Sequence, residues 1–94
     1  VMSWINLGEV YYVLWRAEGP EKAGEVVAAL RAGLALDAPT PDRTLAAALV
    51  KAQHPMAYAD AFAVATAAAH QASLFTGDPE IIDADLPIDI LDLR

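Results

Sequence analysis

The chain has 94 residues, of which 56% are hydrophobic and 20% are charged, and its formal net charge at pH 7 is -7. This composition excludes an intrinsically disordered protein, and the length limits the chain to one domain, residues 1–94. The absence of cysteine excludes a disulfide framework and a thiolate metal site.

The apolar share is high for a chain that can bury only about 60–65% of its unfolded surface. We therefore expect association, as a homodimer or higher oligomer. No uncharged run is long and apolar enough for a membrane span, and no secretory signal opens the chain, so we expect a cytoplasmic protein. An acidic surface repels nucleic-acid backbones, and any phosphate chemistry would require cations.

Apolar patterning predicts helices that alternate with short buried strands. In chain order these are a helix over 3–15 that Gly19 ends, a helix over 20–33, a strand over 34–37, helices over 41–53 and 58–70, and strands over 73–75 and 88–91. Strands joined by helical crossovers indicate an α/β fold with a parallel sheet.

The first helix carries apolar residues on almost every side, which predicts a helix buried within a larger domain, and no capping residue is evident at its start. Trp4, Tyr11, Tyr12 and Trp15 form an aromatic band around it. Such a band is more typical of a core or an interface than of a base-stacking platform.

Asp60 is the only formal charge between Lys51 and Asp78. It falls in the first turn of an alanine-rich helix, where backbone N–H groups and the helix dipole stabilise a carboxylate. The alternative is a metal ligand that is held at a rigid helix end.

Asp78 follows a predicted strand in the sequence Thr76-Gly77-Asp78-Pro79-Glu80. It could cap a helix that begins at the proline. In parallel α/β sheets, however, ligands bind at the carboxyl ends of strands, where this residue falls. Capping and metal binding can coexist on the two oxygens of one carboxylate.

Glu9 is the third candidate for a metal ligand and the only acid on the first helix before its end. The alternative to a metal ligand is a solvated residue or an ion pair with Arg16. Asp37 ends a strand and is a weaker fourth candidate. The acids of the C-terminal segment suggest a solvated surface, namely Asp83, Asp85, Asp89 and Asp92. His54 and His70 lack zinc-pair spacing and are interpreted as helix-end histidines.

Carboxylates from separate elements, without cysteine, suit a hard cation such as Mg²⁺ or Mn²⁺. A divalent ion would also relieve the repulsion among them. We therefore expect Glu9, Asp60 and Asp78 to converge at the carboxyl edge of the sheet.

Three segments together resemble PIN-domain proteins of the VapC toxin type: NLGEVYYVLWR at 6–16, YADAFA at 58–63 and LFTGDPE at 74–80. The resemblance implies a three-layer α/β/α sandwich around a parallel sheet and a Mg²⁺- or Mn²⁺-dependent endoribonuclease that a cognate antitoxin neutralises. Glu9, Asp60 and Asp78 match the family's catalytic and metal-binding acids, and Thr76 matches the supporting hydroxyl.

The family's first strand, with its leading Asp, has no counterpart here. Residues 1–2 are interpreted as the end of the second strand, so about 30–40 residues would precede them. We accordingly expect the intact protein to be the enzyme and this chain to have little activity. A PIN-like interaction module that binds itself or an antitoxin is the alternative, and a phosphoacceptor receiver domain is a remote third.

Overall fold

The computed structural model describes residues 1–76, 79–86 and 88–93, with the backbone alone at 79–80. The elements are β1 (Met2–Ser3), α1 (Trp4–Glu18), α2 (Pro20–Gly33), β2 (Leu36–Asp37), α3 (Pro41–Gln53), α4 (Tyr58–Ala69), β3 (Leu74–Thr76), α5 (Pro79–Ile82) and β4 (Ile90–Asp92). The predicted order of helices and strands is confirmed except for the short helix α5, which lies where a turn was predicted between the last two strands. The strand boundaries differ from the predicted ones by one or two residues.

Side-chain caps define the starts of two helices. The Ser3 hydroxyl accepts a hydrogen bond from the Ile5 N–H at 3.1 Å, so the prediction of an uncapped first helix was wrong. Thr40 caps α3 through the Arg43 N–H at 3.2 Å, and each cap satisfies a backbone donor that has no partner within the helix.

Helices α1 and α2 form a hairpin with Gly19 between them. Gly19 has a φ of 91°, a conformation that costs little only in glycine. Its N–H bonds the Trp15 carbonyl at 3.0 Å and closes α1, and Pro20 then begins α2 with a φ suited to the first helical turn.

The described strands form two separate parallel pairs. Met2 and Ser3 pair with Leu36 and Asp37, while β3 pairs with β4 in the register Leu74–Ile90, Phe75–Leu91, Thr76–Asp92. The predicted α/β class with parallel strands is confirmed, but these four strands do not form one continuous sheet. A cleft separates β1 from β3.

The core is built around α4. Its buried residues are Ala61, Phe62, Val64, Ala65, Thr66 and Ala67, and Ala47, Met56 and Ile81 pack in the same cluster. Alanines on α4 let neighbouring backbones approach closely, which explains why this helix occupies the centre.

Helix α1 is largely exposed in this chain, whereas the sequence predicts a helix buried within a larger domain. Leu7 is its only buried residue among those described, and all four aromatic residues of the band are 40–48% exposed. Arg16 lies 5.1 Å from the ring centroid of Tyr12, and Arg31 lies 5.3 Å from that of Trp4. The band is therefore a surface, with cations stacked on two of its rings.

The exposed position of the C-terminal acids agrees with their interpretation as a solvated surface. Within the described residues, no helix has the length and apolar character needed to cross a membrane.

Candidate active site

One side-chain hydrogen bond joins the first turns of α1 and α4. The amide Nδ2 of Asn6 donates to the Ala59 carbonyl at 2.8 Å, across 53 positions of sequence. A contact of this sequence separation fixes the position of one helix end relative to the other. It therefore sets the distance between any side chains that extend from these two turns.

Two of the three predicted acids flank this bond. Glu9 lies one turn after Asn6 on the same face of α1, and Asp60 directly follows Ala59 in the first turn of α4. Both are partly buried. Arg16, the expected ion-pair partner of Glu9, is stacked on Tyr12 instead, and the described residues show no salt bridge to Glu9.

Asp78 lies outside the described residues, so its convergence with Glu9 and Asp60 stays a prediction. Thr76, the predicted supporting hydroxyl, ends β3 two positions before Asp78. In the described part of the chain, no three His, Cys, Asp or Glu side chains come together in a group that could hold a metal ion. Of the predicted set, Glu9 and Asp60 belong to the described residues and Asp78 does not.

Sequence analysis did not single out two buried polar atoms, one on α1 and one on α4. The Oδ1 of Asn6 and the Oγ1 of Thr66 are buried without a hydrogen-bond partner in the described structure. A buried acceptor without a partner is costly and calls for an explanation. The signals in the sequence were an amide one turn before Glu9 and a hydroxyl inside an alanine-rich helix.

The donor chemistry at this junction fits a hard divalent cation. Glu9 and Asp60 contribute carboxylates, and Asn6 contributes an amide oxygen that nothing described occupies. Mg²⁺ and Mn²⁺ prefer such oxygen ligands. The hydrogen bond from Nδ2 to the Ala59 carbonyl orients the Asn6 amide. The amide Oδ1 is therefore held in place and has no partner among the described residues.

Asp37, the weaker fourth candidate, belongs to a different cluster. Its carboxylate accepts from Arg43 Nε at 2.7 Å and from Arg43 Nη2 at 3.2 Å, and His70 Nε2 lies 2.8 Å from its Oδ1. These contacts connect β2, the first turn of α3 and the end of α4. They give Asp37 a structural role that needs no metal.

Charge pairing in this cluster changes the protonation of Asp37. The hydrogen bond from Arg43 holds the pKa of the Asp37 carboxyl at about 2; partial burial opposes this effect, and the hydrogen bond to His70 adds to it. The same pair raises the pKa of Arg43 above its usual value. His54 and His70 are the C-terminal caps of α3 and α4, as predicted for helix-end histidines.

Comparison with known proteins identifies the family. The comparison with curated proteins gave no match, and the comparison with solved structures gave none either. The profile of the PIN domain matches residues 1–86, a range that includes Glu9, Asp60 and Asp78. PIN domains are generally nucleases and typically use divalent metals. The chain belongs to the PIN domain family.

Proposed function

We propose that the intact protein is a Mg²⁺- or Mn²⁺-dependent endoribonuclease, the toxin of a type II toxin–antitoxin system of the VapC type. The observation that carries the nuclease part is the Asn6–Ala59 hydrogen bond at 2.8 Å. It joins the first turn of α1, one turn before Glu9, to the first turn of α4, which contains Asp60. The toxin role rests on the resemblance of the three sequence segments and implies a cognate antitoxin.

Glu9, Asp60 and Asp78 would hold the cation, and Asn6 would position the first two. A divalent cation held by these residues would supply Lewis-acid chemistry, polarising a phosphate and lowering the pKa of a water. The α4 dipole stabilises Asp60 in its ionised form, because the carboxylate lies in the first turn of the helix. Thr76, two residues before Asp78, would support the third carboxylate with its hydroxyl.

The charge of the chain supports a dependence on metal. A net charge of -7 repels RNA at long range. A divalent ion between carboxylates and phosphate neutralises most of the negative charge there. Cleavage should therefore require the ion for substrate approach as well as for chemistry.

The test compares labelled RNA incubated with intact protein and with its Asp60→Asn and Asp78→Asn variants. We expect cleavage with Mg²⁺ or Mn²⁺, loss of cleavage with a chelator, and a fall of more than about tenfold in each variant. Mutation of a residue that only hydrogen-bonds a metal ligand already lowers metal affinity or activity by at least about tenfold. Asp42→Asn is the matched control, because Asp42 lies in the first turn of α3 as Asp60 lies in that of α4. Equal rates in the intact protein and its Asp78→Asn variant would overturn the nuclease proposal.

The 94-residue chain is expected to bind metal weakly and to cut slowly or not at all, because it has no counterpart of the family's leading Asp. The comparison uses the same RNA and the same metal as for the intact protein. Cleavage by this chain at the full rate would show that the leading Asp is not essential.

A PIN-like interaction module is the second candidate. The observation that favours it is the exposed aromatic band of α1, whose four rings are 40–48% exposed. Large exposed apolar areas mark interaction surfaces. This candidate predicts that Asp60→Asn leaves binding to an antitoxin or to a second copy unchanged. It also predicts that no variant changes the rate of RNA cleavage.

A further inference from the structure

One stripe of α1 extends from Glu9 toward the C-terminal end of the helix. Tyr12 lies one turn after Glu9, and Arg16 lies one turn after Tyr12, so the three side chains are neighbours on the helix surface. In an ideal helix, Arg16 lies about 10 Å beyond Glu9 along the axis and is rotated from it by only about 20°. These three residues, the Glu9 stripe, therefore lead away from the proposed metal-binding acids along the surface of the protein.

The ring of Tyr12 belongs to the Glu9 stripe and is accessible. Its position is rotated by about 60° from Glu9 around the helix, whereas the other three rings of the aromatic band are rotated by about 120–160°. Those rings belong to Trp4, Tyr11 and Trp15. The Arg16 guanidinium lies over the Tyr12 ring, 5.1 Å from its centroid, and Tyr12 is still 46% exposed. Ring and guanidinium thus offer flat groups on which a nucleobase can stack.

Arg16 is also a cation without an acidic partner in the described part of the chain. The salt bridges of that part all involve Asp37, and Arg16 contacts a ring instead. Because the chain has a net charge of -7, a cation that no carboxylate neutralises marks a place where the protein repels phosphate less. An aromatic ring beside such a cation is the combination that binds single-stranded nucleic acids, since bases stack on the ring and the cation contacts the backbone.

We propose that Tyr12 and Arg16 bind an unpaired nucleotide of the RNA substrate, adjacent to the nucleotide whose phosphate lies at Glu9, Asp60 and Asp78. The base stacks on the Tyr12 ring, and the Arg16 guanidinium contacts a phosphate of the same strand. The RNA ligand is taken from the proposed nuclease function, on which this inference rests. Side chains stack on bases that are splayed out of a duplex or lie in single strands, so the substrate class is single-stranded RNA, including the loop of a folded RNA.

A protein partner fits the Glu9 stripe less well. Charged residues are depleted in the cores of protein interfaces, and two of the three residues of the stripe are charged. The other face of α1, with Trp4, Tyr11 and Trp15, has the aromatic character that is enriched in such cores. Association of two copies through that face is compatible with RNA on the Glu9 stripe.

The first test measures the affinity of the intact protein, made slow to cleave by Asp60→Asn, for fluorescein-labelled decaadenylate. We expect Tyr12→Leu to weaken binding by about 5–100-fold, the range that one base–aromatic stack supplies. Tyr12→Phe keeps the ring and should remain within about twofold of the parent. Tyr11→Leu is the matched control and should leave the affinity unchanged, because Tyr11 is 42% exposed but lies on the side of α1 away from Glu9. The same RNA annealed to decauridylate should bind without dependence on Tyr12.

The second test measures the salt dependence of the same affinity. Arg16→Gln should lower the slope of log Kd against log salt concentration by about 0.7, the value for one phosphate contact on a single strand. Arg16→Lys keeps the charge and should keep the slope. Arg31→Gln is the matched control, because Arg31 also lies over a ring, 5.3 Å from the centroid of Trp4. Its slope should equal that of the parent.

Three results would contradict this assignment. Equal affinities of the Tyr12→Leu and Tyr11→Leu variants would show that no base stacks on Tyr12. An unchanged slope in Arg16→Gln would show that the guanidinium meets no phosphate. Loss of self-association in Tyr12→Leu, measured by sedimentation, together with unchanged RNA affinity would assign the stripe to a protein interface. Failure of the nuclease proposal is distinguishable, because the cleavage rates of the intact protein and its Asp78→Asn variant decide it without reference to Tyr12 or Arg16.

Discussion

Replacement of Asp37 by asparagine should destabilise the protein at neutral pH and have little effect in strong acid. The carboxylate of Asp37 holds Arg43 by two hydrogen bonds and His70 by a third. These bonds connect β2 with both helices of the α3–α4 pair. Asparagine keeps the size of the side chain and removes its charge.

The magnitude follows from the pKa of Asp37. A decrease from 3.8 to about 2 corresponds to about 2 kcal/mol. The side chains of Asp37 and Arg43 are 12% and 20% exposed, so solvent screening lowers the expected contribution to about 1–2 kcal/mol. For a domain of this length, that difference shifts the melting temperature by about 4–15 °C.

The sign of the pH dependence follows from proton linkage. Because the pKa of Asp37 is lower in the folded state, the unfolded chain binds more protons between the two pKa values. The stabilisation by the carboxylate is therefore complete above about pH 5 and is lost as the pH falls toward 2.

The assay is urea denaturation of wild type and Asp37→Asn at pH 7 and at pH 2. Asp85→Asn is the matched control, because Asp85 is exposed and also loses one negative charge. Arg43→Met completes a double-mutant cycle, and it should cost little in the Asp37→Asn background. A difference between wild type and Asp37→Asn that is the same at both pH values would refute this reasoning.

Three further predictions concern packing, capping and association. Leu7→Ala should lower the free energy of unfolding by about 2–5 kcal/mol, because Leu7 is 2% exposed. Leu45→Ala should change it by less than about 0.5 kcal/mol, because Leu45 is 69% exposed. Urea denaturation measures both changes. Ser3→Ala should cost about 1 kcal/mol through loss of the α1 cap, again measured by urea denaturation. Sedimentation should show a homodimer or higher oligomer, and a monomer at every concentration would contradict the expected association.

Local sequence determined most of the secondary structure of this protein. Proline and glycine set the boundary between α1 and α2 at Gly19 and the start of α3 at Pro41, because their backbone preferences act within a few residues. The helix-end positions of His54 and His70, predicted from their lack of zinc-pair spacing, are also confirmed. The family was likewise evident from three segments of sequence, and the profile match over residues 1–86 agrees with it.

Tertiary structure decided burial and long-range pairing. The apolar residues of α1 suggested a helix buried within a larger domain, and in this chain its aromatic residues are exposed, because packing partners determine which side of a helix is covered. No local pattern indicated the bond from Asn6 to Ala59 or the contact of His70 with Asp37, since these join residues 53 and 33 positions apart. The cleft between β1 and β3 also became visible only in three dimensions, because strand pairing depends on the position of every strand in the sheet.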